Sequence, residues 1–173
     1  MSGRVLVFTG DGKGKTTASL GIALRAVGHG MKVKIIQFVK SDTSTGEIAA
    51  LNMLPGVEIV QTGCGFVPNE SNAKFTDHRQ AAENGLKIAA EAIESCKYSV
   101  VILDEICVAV AKKLLNENEV IEMIRKASPD VTVVLTGRGA TPAMIELADT
   151  VTNMSCVKHG MQQGIKAQEG VEF

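Results

Sequence analysis

The chain has 173 residues, of which 45% are hydrophobic, 21% charged and 3% aromatic. That length predicts one domain, since domains run to about 100–200 residues, with a core that needs no disulfide or metal staple. No apolar run approaches the roughly 20 residues that span a bilayer, and the start, MSGRVLVFTG, lacks a signal-peptide pattern. A net charge of −1 excludes the broad basic footprint of a nucleic-acid binder. The cysteines at 64, 96, 107 and 156 form no CxxC pair, so they read as reduced thiols of a cytoplasmic protein rather than zinc ligands.

In chain order, apolar β-rich runs alternate with helical patterns. Residues 4–9 (RVLVFT) predict a first strand. Residues 16–29 predict a helix with Leu20, Leu24 and Val27 on one stripe, stopped by Gly28 and Gly30. Strands follow at 32–39 (KVKIIQFV) and 57–61 (VEIVQ). A long helix is expected over 75–96, with Leu86, Ala89, Ala90 and Ile93 aligned, and then a fourth strand at 99–104 (SVVILD). Asn116 and Glu119 have the spacing of a capping box for a helix ending near Ala127. A fifth strand is expected at 130–136 (DVTVVLT), a helix opening at Thr141-Pro142, and a sixth strand at 150–156 (TVTNMSC). Continuous Val/Ile/Leu runs are the mark of parallel strands covered on both faces. The βαβ alternation predicts an α/β doubly wound sheet, with ligands bound beyond the carboxyl ends of its strands.

The segment 10–16 (GDGKGKT) follows the first strand and opens the first helix, the context a phosphate-binding loop requires. Glycines at 10, 12 and 14 let successive backbone N–H groups converge on one anion, and the helix N-terminus adds partial positive charge. Asp11 and Lys13 complete the loop. Lys15 is the candidate for the terminal phosphates, and the Thr16 hydroxyl for a Mg²⁺ or Mn²⁺ ion. The usual GxxxxGK[ST] pattern wants glycine at position 9, where this chain has Thr9. A plain glycine turn capping a helix is the competing reading. Asp104 and Glu105 end the fourth strand, Asp104 as a candidate metal partner and Glu105 as a base or ribose contact. An ordinary N-cap is the alternative for this pair. Arg138, between two glycines after the fifth strand, reads as a phosphate contact or as a solvated turn residue.

Taken together, TGDGKGKTTASLGIALRAVGHG at 9–30, VILDEI at 101–106, VVLTGRGATPAMIELADTVT at 133–152 and VKHGMQQGIKAQEGVEF at 157–173 resemble the P-loop type of ATP:corrinoid adenosyltransferases. The resemblance covers nearly the whole chain. It implies a three-layer RecA-like P-loop fold, with a six-stranded, mainly parallel sheet and helices on both faces, and a homodimer. It implies transfer of the adenosyl group of ATP to the cobalt of a reduced corrinoid. Co(I) is then the nucleophile, attack falls on the ribose 5′ carbon, and tripolyphosphate leaves whole. The corrinoid is cobalamin or a biosynthetic intermediate such as cobyrinic acid a,c-diamide, and a flavin or flavodoxin-type reductant is the expected source of Co(I). Lys15, Thr16, Glu105 and Arg138 are the expected catalytic set.

Phe66 falls in 62–69 (TGCGFVPN), where the family has a Gly-Phe-Thr-Trp loop over the corrinoid; the resemblance implies that it displaces the lower axial ligand. The competing reading is a loop anchor packed into the core. The family tryptophan is Pro68 here. Better known members carry an extension ahead of the first strand; without it the site is expected to be more open, or ordered by substrate. His159 reads as a tail hydrogen-bonding residue. The competing functions are a generic P-loop ATPase or small-molecule kinase, which would make ADP and phosphate, and a nucleotide switch or corrinoid carrier without turnover.

Overall fold

Six strands form one sheet in the computed structural model, which describes residues 3–172. They are β1 (Val5–Thr9), β2 (Val33–Gln37), β3 (Val57–Gln61), β4 (Val100–Asp104), β5 (Thr132–Thr136) and β6 (Thr150–Asn153), in spatial order β3-β2-β4-β5-β1-β6. Every pairing is parallel. The helices are α1 (Lys15–Gly28), α2 (Gly46–Asn52), α3 (Phe75–Glu94), α4 (Ile106–Ala111), α5 (Glu117–Arg125) and α6 (Pro142–Leu147), with a 3₁₀ turn at Gly160–Gln163.

Strand periodicity divides the core in two. Val100 and Ile102 of β4 face a cluster with Ala23, Ala26, Ile35 and Leu51, beneath α1 and α2. The alternate residues Val101 and Leu103 face a larger cluster with Ile36, Ala89, Ile93, Ile106, Ile124, Leu135 and Met144, beneath α3 to α6. Successive side chains point to opposite faces, so an unbroken apolar strand serves both layers at once. The result is the three-layer RecA-like P-loop arrangement, with β5 standing between the loop strand β1 and the acidic strand β4.

All six predicted strands are present, four of them one or more residues shorter at their starts, and the sixth ending at Asn153 rather than 156. β6 also departs from the two-sided burial expected: all four residues are exposed, because it is an edge strand paired only with β1. The stripe on α1 differs too. Leu24 is 60% exposed, and the buried positions are Lys15, Ser19, Ala23 and Ala26. The period is helical as expected, but its phase is set by the loop, whose Lys15 opens the buried row. Small residues let the helix lie close on the sheet. On α3 the buried row is Phe75, His78, Ala82, Gly85, Ala89, Ala92 and Ile93, with Leu86 and Ala90 at its margin.

The predicted capping box is replaced by a tighter turn: Asn116 accepts from the Asn118 amide at 2.9 Å, and α5 ends at Arg125. Pro142 takes the first position of α6 as predicted, with Thr141 Oγ1 accepting from the Met144 amide. Helices α2 and α4 and the 3₁₀ turn have no counterpart in the sequence reading. Each is seven residues or fewer, too short for periodicity to show.

Candidate functional site

Gly14 stands at the N-cap of α1 with φ 109°, a left-handed conformation that favours glycine. Gly12 is pressed against the segment beyond β6: its amide donates to the Met154 carbonyl at 2.7 Å, and a Cβ there would meet the Met154 and Ser155 carbonyls at 2.7 Å. The loop is thus braced by the segment that follows β6. Lys15 is buried, and its ammonium donates to the Gly10 and Gly12 carbonyls at 2.8 and 2.6 Å. Burial, aided by the Arg138 charge, lowers its pKa against the pull of Glu105 and Asp11.

The opposite wall is a polar row across four strands. Gln37 of β2 pairs in register with Gln61 of β3 and with Asp104 of β4, and Thr136 lies one step past the paired Leu103 and Leu135. Gln61 Nε2 donates to Gln37 Oε1 at 2.9 Å, and Gln37 Nε2 donates to Asp104 Oδ2 at 3.1 Å. Thr136 Oγ1 donates to Asp104 Oδ1 at 2.7 Å and accepts from the Glu105 amide at 2.9 Å. From the loop side, Thr16 Oγ1 donates to the same Oδ1 at 2.9 Å. Asp104, only 1% exposed, therefore joins loop and sheet. Glu105 follows in left-handed backbone, φ 63°. Burial first, and Asp104 second, raise its carboxyl pKa.

Arg138 reaches back to the loop, Nη2 donating to the Asp11 carbonyl at 3.3 Å and Nε lying 3.9 Å from its carboxylate. Lys13 bonds the tail, at 2.7 Å to both the Val171 carbonyl and Glu172 Oε1. The Glu172 carboxylate also accepts from the Gln168 amide. His159 Nδ1 accepts from the Met161 amide and caps the 3₁₀ turn, the tail hydrogen bond expected of it.

A cleft of about 1080 Å³ gathers these pieces. Loop residues 11–16, Glu105 and Arg138 line it, and so do Phe66 and Glu172. Phe66 is 94% exposed while the adjacent Val67 is buried. The core-anchor reading of Phe66 is thereby overturned: Val67 takes that part and holds the aromatic ring out over the cleft. Gly10 and Asp104 support the walls from behind. Sequence reasoning missed Gln37, Gln61, Thr136 and Lys40. Only a partial signal existed: Gln61 and Thr136 end their apolar runs, but Gln37 lies inside 32–39 (KVKIIQFV) and Lys40 beyond it, and only the strand register aligns them. Thr16 Oγ1 and the Asp104 carboxylate are hard oxygen donors side by side. They fit Mg²⁺ or Mn²⁺, which takes one or two carboxylates and completes its shell with phosphate and water.

A search of solved structures finds the flagellar accessory protein FlaH from Methanocaldococcus jannaschii, with a TM-score of 0.61 over 88% of this chain and 71% of that one, at 14% identity. That likeness concerns the fold. Among curated proteins, the corrinoid adenosyltransferase of Pseudomonas aeruginosa is 44% identical over 172 residues, covering 99% of this chain and 84% of that protein. Those of Escherichia coli and Salmonella typhimurium are each 38% identical, covering 99% of this chain and 86% of theirs. The family model for ATP:corrinoid adenosyltransferase BtuR/CobO/CobP matches residues 1–173. With the phosphate loop, the acidic strand end and the exposed aromatic in one cleft, the chain belongs to the ATP:corrinoid adenosyltransferase family.

Proposed function

We propose that this protein transfers the 5′-deoxyadenosyl group of ATP to the Co(I) centre of a reduced corrinoid and releases tripolyphosphate. The observation that carries the reading is one cleft lined by both the phosphate loop and the 94%-exposed Phe66. A nucleotide and a large, flat, partly apolar ligand can meet there. In the step, a Co–C5′ bond forms as the C5′–O bond breaks, and the bonding electrons leave with the triphosphate oxygen. The corrinoid supplies the nucleophile, so the protein's work is alignment and charge stabilisation.

The loop amides of 10–16 and the end of α1 hold the phosphate chain. Lys15 exchanges its two carbonyl partners for phosphate oxygens, and Arg138, already beside the loop, adds a second cation. Thr16 and Asp104 would hold a Mg²⁺ or Mn²⁺ ion, which would supply charge neutralisation to the triphosphate. Glu105, on the cleft wall next to Asp104, is placed for a hydrogen bond to the ribose or to a water at the reacting end. Phe66 covers the lower face of the corrinoid and excludes its axial ligand.

One domain carries both binding regions in this reading. Family resemblance supports a homodimer, a cytoplasmic location and a flavin or flavodoxin-type reductant. The deciding experiment is anaerobic mixing of the protein, MgATP and chemically reduced cob(I)alamin. The reading expects a light-sensitive Co–C product and one tripolyphosphate for each corrinoid. ADP and phosphate with an unchanged corrinoid spectrum would overturn it in favour of a P-loop ATPase or kinase.

A further inference from the structure

Three residues beyond β2, Lys40 lies on the wall of the same cleft. Its ammonium donates to Glu47 Oε1 at 3.0 Å and stands 3.6 Å from Asp104 Oδ2. Its side chain is 30% exposed, so it can move into the cleft, whereas Asp104 is held on both oxygens by Thr16, Thr136 and Gln37. The loop lysine Lys15, by contrast, spends its ammonium on the Gly10 and Gly12 backbone carbonyls. A lysine ammonium thus stands 3.6 Å from the carboxylate that the proposed metal ion would use.

We propose that Lys40 is a positioning residue, the exchangeable counter-ion of Asp104, which gives up the carboxylate to the divalent cation and turns to the triphosphate as the two arrive together. The inference rests on the metal assignment of Thr16 and Asp104 above. Two positive charges near one buried carboxylate repel each other, and that repulsion is strong where water is partly excluded. Lys40 therefore opposes entry of the bare metal ion. An incoming triphosphate relieves the conflict by offering the ammonium a second anion. Metal loading becomes linked to nucleotide loading. A purely structural Lys40–Glu47 pair, tying the 38–45 loop to α2, would have no such consequence.

The test uses the full chain without corrinoid and reads binding rather than turnover. Free Mn²⁺ is counted by electron paramagnetic resonance in the absence of nucleotide, and MgATP binding is followed by calorimetry. Lys40→Met keeps the length and removes the charge; Lys40→Arg keeps the charge. Lys40→Met should bind Mn²⁺ about tenfold more tightly and MgATP about tenfold more weakly, while Lys40→Arg stays near the parent in both. Lys40→Gln serves in its place if the methionine variant melts early. Opposite shifts in the two affinities support the proposal. An unchanged or weakened Mn²⁺ affinity overturns it, as does binding too weak to detect in every protein. Asp104→Asn separates the two levels. If it fails to weaken Mn²⁺, the metal assignment falls and this inference with it. If it weakens Mn²⁺ while Lys40→Met changes nothing, the role of Lys40 alone is refuted.

Discussion

Thr136 offers the sharpest test of how the site is built, because one hydroxyl serves two neighbours. It is fully buried, donates to Asp104 Oδ1 at 2.7 Å and accepts from the Glu105 amide at 2.9 Å. Thr136→Val keeps the β-branched shape on β5 and leaves no cavity. It removes a hydrogen bond to a buried carboxylate, worth about 1.5–3 kcal/mol, and strands an amide at a cost of about 1–3 kcal/mol. Thr16 and Gln37 still hold Asp104, so the loss should sit in the lower part of the sum, about 2.5–4 kcal/mol. For a chain of this size that corresponds to a fall in Tm of about 5–16 °C. Urea unfolding at pH 7, comparing parent, Thr136→Val and Thr136→Ser, measures it. The serine variant keeps the hydroxyl and should recover most of the loss. A valine variant within about 0.5 kcal/mol of the parent, inside the range of ordinary surface changes, would refute the argument that this hydroxyl secures the strand end.

Three further outcomes are expected. Lys15→Ala should cut turnover on the order of 10²–10³-fold in the anaerobic assay, by analogy with deleting one oxyanion donor; turnover within a few-fold of the parent would remove Lys15 from the phosphate site. Phe66→Ala should leave Tm within about 1 °C, since an exposed ring contributes little to the core, yet impair cobalamin more than a corrinoid lacking the lower ligand. Equal losses with both substrates would deny the ring its part in ligand displacement. At the far edge of the sheet, Lys97 first and Tyr98 second hold the Glu58 carboxyl down to about 2. A carboxyl lowered in the folded state contributes stability above its unfolded pKa of about 4.5, and that contribution fades as pH falls from there toward 2. Glu58→Gln should therefore cost stability at pH 7, by about 0.2–1 kcal/mol for so exposed a group, with the difference shrinking in acid. Parallel melting curves at pH 7 and pH 3 with an unchanged gap would contradict it.

The sequence alone determined the α/β class, the six strands, the phosphate loop and its acidic partner, because each is a local signal. A run of Val, Ile and Leu bounded by turns, or three glycines and a lysine between strand and helix, carries its meaning within about ten residues. The predicted phase of α1 failed for a related reason: periodicity reports that a stripe exists, while the loop that opens the helix decides which stripe turns inward. Tertiary structure alone decided the polar row of Gln61, Gln37, Asp104 and Thr136, whose hydrogen-bonded neighbours lie up to 67 residues apart in the chain. The same holds for the reach of Lys40 to Asp104 across 64 positions, and for the exposure of Phe66, which depends on Val67 finding the core beneath it. Such contacts arise from strand order and register. A parallel sheet joins strand ends through long crossovers, so the residues that share its carboxyl edge share no local pattern by which a sequence could announce them.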